Sequence, residues 1–226
     1  EKIQEKIDIP VMHDDQHGTA CVVTAALMNI SRQLGCDLTR CEIGVIGLGA
    51  AGLAISKMLM FYLNKPIRGA DINPAASQRL KEAGGIVSDL TEIMARSDVV
   101  VATTGAPGLI KKDLVRKGQI ILALSNPNPE IEPEEALEAG AIFAADGKTI
   151  NNVLGFPGIF RGAVDANVPR ITTEMLLAAA RAIADSAPAG DIVPDPLDKG
   201  LHRSVARAVA RVALEQGLNR DDLTGY

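Results

Sequence analysis

The sequence contains no tryptophan, two tyrosines and four phenylalanines, so aromatic side chains make up only 3% of its 226 residues. Yet 47% of the chain is hydrophobic. The apolar mass is alanine, valine, isoleucine and leucine, the composition of a parallel sheet buried on both faces and covered by helices. Positive charge is also in short supply: 23 Lys and Arg stand against 28 Asp and Glu, a net charge of −5. That excludes a general nucleic-acid-binding role, which calls for a basic surface. No apolar run reaches the roughly 18 residues needed to cross a bilayer, and no secretory signal opens the chain. Only three cysteines occur, Cys21, Cys36 and Cys41, with no Cys-x-x-Cys pair among them. An odd set of this kind fits reduced thiols in a cytoplasmic protein rather than a disulfide framework. Internal repeats and low-complexity tracts are absent. The chain opens at Glu1, without Met, in a helix-like polar stretch over residues 1–8, which suggests a portion of a longer protein.

What is present alternates between strand and helix. Residues 16–35 carry a long apolar-periodic pattern with Gly35 as its stop signal. "CEIGVIGLGAAGLAISKMLMFYL" reads as strand, glycine-rich turn and helix, "PIRGAD" as a second strand, and "NPAASQRLKEAGG" as a helix closed by glycines. "SDVVVATTGAP", "GQIILALSNPNPE" and "AIFAADG" supply three more strands. The expected fold class is α/β, a Rossmann-type, doubly wound, mostly parallel sheet of five or six strands. Beyond residue 151 the pattern turns helical, interrupted by the Pro-rich "IVPDPLDKG". Three segments are expected: 1–39 as linking helices, 40–150 as a dinucleotide-binding core, and 151–226 as a helical extension that completes the cleft.

"GVIGLGAAG" places Gly47, Gly49 and Gly52 in G-x-G-x-x-G spacing. The motif alone is weak, but here it follows an apolar strand and opens an Ala-rich helix through Ala50 and Ala51, the context it requires. Gly47 permits the tight turn, Gly49 lets the backbone approach a pyrophosphate, and Gly52 lets the helix lie close to the sheet. The helix N-terminus offers its unpaired N–H groups to the phosphates. Asp71 lies 19 residues beyond Gly52, where a carboxylate accepts hydrogen bonds from ribose hydroxyls. Its charge would repel a 2′-phosphate, which favours NAD over NADP; Arg68 and Arg79, nearby in sequence, keep NADP possible. The alternative is a plain strand–helix turn with Asp71 as a cap. Ligands of such sheets bind at the carboxyl ends of the strands. Thr103, Thr104, Gly105, Ser125 and Asn126 are therefore candidates for the nicotinamide side, against the plainer reading as turn residues.

"VMHDDQHGTA" sets two histidines around two adjacent aspartates. His13 and His17 at i, i+4 resemble half of a zinc site. A third protein ligand is required, and only His202 remains among the histidines. A hard divalent cation such as Mg²⁺ or Mn²⁺ would take carboxylate oxygens from Asp14 and Asp15. A helix N-cap and a solvated turn are the other readings, and residue chemistry alone leaves them open.

Five stretches, "IPVMHDDQHGTA", "GLGAAG", "LSNPNPE", "DGKTINNVLGFPGIFRGAVDA" and "ITTEMLLAAARAIA", resemble the malic enzymes, and the bacterial branch in particular, in unbroken order along the chain. The resemblance implies oxidation of malate by NAD(P)⁺ and decarboxylation to pyruvate and CO₂ with a divalent metal. It implies Asp15 as a metal ligand, Asp14 as its supporting or proton-relaying neighbour, and Asn126 and Asn152 as hydrogen-bonding partners of the malate carboxylate, Asn126 also lying near the nicotinamide. It further implies that the family's Tyr and Lys acid–base groups and a Glu-Asp metal pair precede the HDDQHGT stretch. Only ten residues precede Val11, and the tyrosines here, Tyr62 and Tyr226, lie in no matching motif. The expectation is thus the NAD-binding portion of a malic enzyme, inactive alone and a homo-oligomer at full length, with malate and pyruvate as small-molecule partners. A malolactic enzyme portion and a non-catalytic NAD-binding sensor are the alternatives. "IVPDPLDKGLHRSVA" departs from the family's usual form there. Arg203, Arg207 and Arg211 recur every four residues on the last helix, as a solvated face or as a surface for another domain or subunit.

Overall fold

A computed structural model describes residues 6–220. In chain order the elements are α1 (Asp14–Leu34), β1 (Ile43–Ile46), α2 (Ala50–Leu63), β2 (Arg68–Ala70), α3 (Pro74–Glu82), β3 (Ile86–Val87), α4 (Leu90–Arg96), β4 (Val99–Ala102), β5 (Ile120–Ala123), α5 (Pro133–Glu138), β6 (Phe143–Asp146), α6 (Phe156–Asp165), α7 (Thr173–Ser186) and α8 (Lys199–Glu215). The backbone divides into two compact units, residues 30–151 and residues 1–29 together with 152–226. Residues 1–29 group with the C-terminal helices and 30–39 with the sheet. Of the helix expected over residues 1–8, residues 1–5 lie outside the described residues, and residues 6–8 form a turn and bend.

The unit of residues 30–151 is a six-stranded sheet in the order β3-β2-β1-β4-β5-β6, every pairing parallel. Strands β1, β4 and β5 are buried at every residue, so they read in sequence as unbroken apolar runs, IGVI, VVVA and IILA. Helices approach them closely where glycine removes a side chain. A Cβ on Gly44 would overlap Ile93 of α4 and lie 2.6 Å from the Ser97 hydroxyl. One face of the sheet is filled by Ile46, Val100, Ile121, Ile93, Met94, Ile110 and Ile131. Two elements escaped the sequence reading. Strand β3 is two residues long and exposed, so it carries no burial pattern. Helix α4 spans seven residues, and its Asp89 cap, accepting from the Glu92 N–H at 2.8 Å, is its main local signal.

The strand order reverses between β1 and β4, and these strands end in register, Ile46 opposite Ala102. Two loops therefore leave the sheet side by side at its carboxyl edge, the crevice in which doubly wound sheets bind ligands.

In the other unit, α6 and α8 cross at close range because Gly158 and Gly162 carry no side chain. A Cβ on Gly158 would lie 2.6 Å from Val205, and one on Gly162 would overlap the Ala206 carbonyl oxygen. The buried Asn29 amide of α1 donates to Ala184 O at 2.9 Å and to Ile192 O at 3.1 Å, tying down the end of α7 and the bend that follows it. Cys21 is fully buried and donates its thiol to Leu176 O; burial pushes its pKa far up, which leaves it an inert packing group.

Candidate functional site

Within residues 30–151 the glycine-rich turn is fixed by its neighbours. Gly47 has φ +88° and donates its N–H to Ala70 O at 2.8 Å. A Cβ there would lie 2.6 Å from Thr103 O, so the position excludes larger residues on two grounds. A Cβ on Gly52 would overlap the Gly47 carbonyl oxygen, and the Thr103 hydroxyl donates to that same oxygen at 3.0 Å. Gly49 differs: nothing stands within 4 Å of its virtual Cβ. It occupies the N-cap of α2, where no side chain caps the helix. The exposed Gly49 and Ala50 and the half-buried Ala51 thus present first-turn N–H groups toward open space, an arrangement suited to anions.

Asp71 closes one flank. Its Oδ2 accepts from the Leu48 N–H at 2.6 Å and its Oδ1 from the Asn73 N–H at 2.7 Å. The carboxylate is therefore aimed by the turn it serves, and each oxygen keeps a lone pair for a further donor. Beside it Ile72 is fully exposed. Arg68 is engaged elsewhere, 3.4 Å from Glu92 and 3.7 Å from Glu42. Arg79 is exposed on α3.

The loops after β4 and β5 are joined by a residue the sequence reading did not single out. Glu130 is fully buried and accepts from the Thr104 N–H at 2.6 Å, the Thr104 hydroxyl at 2.8 Å, the Ser125 hydroxyl at 2.6 Å and the Ser125 N–H at 3.3 Å. Ser125 in turn accepts from the Gly105 N–H at 2.8 Å. A buried carboxylate is tolerated when its lone pairs are filled in this way. Its signal lay in the last letter of "LSNPNPE": two polar strand-end loops leave N–H groups that demand an acceptor. Thr103, Thr104 and Gly105 thus come together with Ser125 as one braced surface, their polar groups largely turned to holding it. Asn126, exposed and followed by a cis bond to Pro127, donates to Gly147 O at 3.2 Å.

In the unit of residues 1–29 and 152–226, α1 begins at Asp14, so Asp14 and Asp15 occupy its first turn and neither is its cap. The His13 carbonyl accepts from the Gln16 and His17 N–H groups, and the His13 N–H donates to His17 Nδ1 at 3.1 Å. That bond places the proton of neutral His17 on Nε2; burial, and then His13, hold the His17 pKa below its usual range. The buried Asp14 Oδ1 has no hydrogen-bond partner. Burial pushes the Asp14 pKa up, Asp15 adds to this, and His13 opposes it. Asp15 is exposed. Gly18 makes the juxtaposition possible: a Cβ there would overlap Asp14 Oδ1 and lie 3.2 Å from Asn152 Cβ. Asp14 and Asn152, far apart in sequence, therefore both border Gly18. The carboxylate pair suits a hard divalent ion rather than zinc, but it does not complete a site. Among the described residues no group of three or more His, Cys, Asp or Glu side chains is placed to hold a metal.

The description "Malic enzyme, NAD binding domain" matches residues 74–214. The chain belongs to the malic enzyme family, as its NAD-binding domain. The "NAD-dependent malic enzyme 1" of Bacillus subtilis (strain 168) is 55% identical over 215 residues, covering 95% of this chain and 49% of that protein. The "Bifunctional malic/malolactic enzyme" of the same organism is 38% identical, covering 97% of this chain and 60% of that protein. The crystal structure of the malic enzyme from Pyrococcus horikoshii superposes with a TM-score of 0.88 at 34% identity, over 98% of this chain and 59% of that one. The chain thus spans about half the length of the first of these malic enzymes. As in the family, the sheet is parallel and flanked by helices, and no described helix is long and apolar enough to cross a membrane.

Proposed function

We propose that residues 1–226 form the NAD-binding portion of an enzyme that oxidises malate with NAD⁺ and releases pyruvate, CO₂ and NADH. The carrying observation is the pairing of an uncapped α2 N-terminus at Gly49 with an Asp71 carboxylate oriented by the Leu48 N–H. In this reading Gly47, Gly49, Ala50, Ala51 and Gly52 shape the pyrophosphate cradle, and Asp71 accepts from the ribose hydroxyls. Ile72 covers the adenine. Thr103, Thr104, Gly105 and Asn126 line the nicotinamide side, braced through Glu130. NAD is preferred over NADP, because Asp71 repels a 2′-phosphate and Arg68 is committed to Glu92 and Glu42.

Asn126 and Asn152 orient the malate carboxylates; neutral amides do so without quenching nearby charge. Asp15 is the carboxylate offered to Mg²⁺ or Mn²⁺. A bound divalent ion supplies Lewis-acid polarisation of the substrate oxygen and charge stabilisation after CO₂ departs. Asp14, its pKa raised by burial, holds or passes a proton beside Asp15. The remaining metal ligands and the acid–base pair come from sequence outside these 226 residues, and the whole protein is a cytoplasmic homo-oligomer. The similarity to a relative named as bifunctional keeps a malolactic activity as the second reading. An assay of the full-length protein separates the two: malate- and Mn²⁺-dependent NADH release, lost by orders of magnitude in Asp15→Ala, supports the first. Lactate formation without net NADH supports the second, and neither product would leave a dinucleotide-binding sensor.

A further inference from the structure

Helices α6 and α8 enclose a groove of about 510 Å³ that serves none of the roles above. Its walls carry Arg161 and Asp165 from α6 and His202, Arg203, Ala206 and Arg207 from α8. Three guanidiniums thus face one carboxylate, in a chain whose net charge is −5. Arg161 is paired with that carboxylate, its Nε 2.5 Å from Asp165 Oδ2. Arg203 and Arg207 have no ion pair or hydrogen bond among the described residues.

The sequence of α8 explains why. Lys199, Arg203, Arg207 and Arg211 follow one another at i, i+4 spacing, and positions three residues either side of Arg203 and Arg207 are Gly200, Ser204, Ala206 and Ala210. No acid on the helix can reach either arginine, and like charges at i, i+4 oppose helix formation. Arg211, the last of the row, is neutralised by Glu215 at 2.9 Å. The uncompensated pair is the one that lines the groove. His202 sits between the groove and the preceding loop, its Nε2 3.1 Å from Pro196 O and its Nδ1 buried without a partner.

We propose that this groove binds an organic phosphate dianion. Guanidiniums present forked donors to oxyanions. Here two uncompensated guanidiniums, one turn apart on α8, line the groove with Arg161 of α6, a donor set that suits the several oxygens of a phosphate dianion. The volume exceeds that of phosphate alone, and the methyl of Ala206 with the arginine stems offers apolar surface to a carbon body.

The test is calorimetric titration of the full-length protein, saturated with NADH so that the dinucleotide site is filled, with glycerol 3-phosphate and separately with succinate. Glycerol 3-phosphate is expected to bind saturably, more weakly as salt is raised, and at least tenfold more weakly to Arg203→Ala/Arg207→Ala, with NADH affinity and helix content unchanged. Should the double variant be unstable, Arg207→Glu, which creates favourable i, i+4 pairs with Arg203 and Arg211, is expected to abolish binding in a folded protein. Absence of saturable binding, equal binding by the variants, or succinate binding as tightly as the phosphate would each overturn the proposal.

Discussion

The carboxyl edge of the sheet and the start of α1 differ in how far their polar groups are satisfied. At the carboxyl edge of the sheet Asp71 is held by two backbone N–H groups, Glu130 fills four hydrogen bonds, and Thr103 braces the Gly47 carbonyl. The open feature is the first turn of α2, where a ligand would complete the helix. In the helical unit the polar residues at the start of α1 are left unfinished. Asp14 Oδ1 is buried without a partner, Asp15 is exposed, and among the described residues no third His, Cys, Asp or Glu is placed to form a metal group with them.

The widest test of this contrast is activity. Residues 1–226 are expected to bind the dinucleotide yet give no detectable malate-dependent NADH with Mg²⁺ or Mn²⁺. In the proposed reading two acid–base groups come from outside these residues; such groups each contribute about 10² to 10⁴ in rate, and an ion held by one or two carboxylates stays largely hydrated. An absorbance assay for NADH settles it, and robust turnover by this chain alone would refute the division of labour.

Next comes the glycine turn. Gly52→Ala must displace the Gly47 carbonyl or the start of α2, and is expected to cost about 1–3 kcal/mol in urea denaturation. Gly49→Ala faces open space with φ −66° and is expected to change stability by less than about 0.5 kcal/mol. Its methyl would stand where the pyrophosphate approaches, so NADH affinity is expected to fall roughly tenfold, about 1.4 kcal/mol. Equal effects of the two alanines on folding would remove the distinction between them. Glu130→Gln strands donors from Thr104 or Ser125 and is expected to cost about 1–3 kcal/mol, again by urea denaturation. An unchanged midpoint would mean that Glu130 braces nothing. Smallest is Ile72→Ser: loss of one exposed apolar cover is expected to weaken NADH binding a few-fold without altering stability, and an unchanged affinity would remove Ile72 from the adenine site.

The legible parts of the molecule are those where one residue type answers one local demand. Val99, Val100 and Val101 announced a strand buried on both faces. Gly47 and Gly52 announced a turn that admits no side chain, and Gly35, at φ +63°, ended α1 as expected. What escaped depended on distance in sequence. Glu130 meets Thr104 from 26 residues away, and Asp14 and Asn152 come to border the same Gly18 from distant parts of the sequence, so no short window along the chain contains either pair. The packing of α1 was equally out of reach, because its partners, such as Leu176 for Cys21 and Ala184 for Asn29, lie 155 residues on.

Residues 30–151 are expected to hold a complete NAD site whose selectivity rests on Asp71. Fluorescence titration of the chain with NADH and NADPH tests it most directly. Saturable NADH binding, at least tenfold tighter than NADPH and with that preference reduced in Asp71→Ala, is the predicted result. No binding of either dinucleotide, or NADPH binding as tightly as NADH, would contradict it.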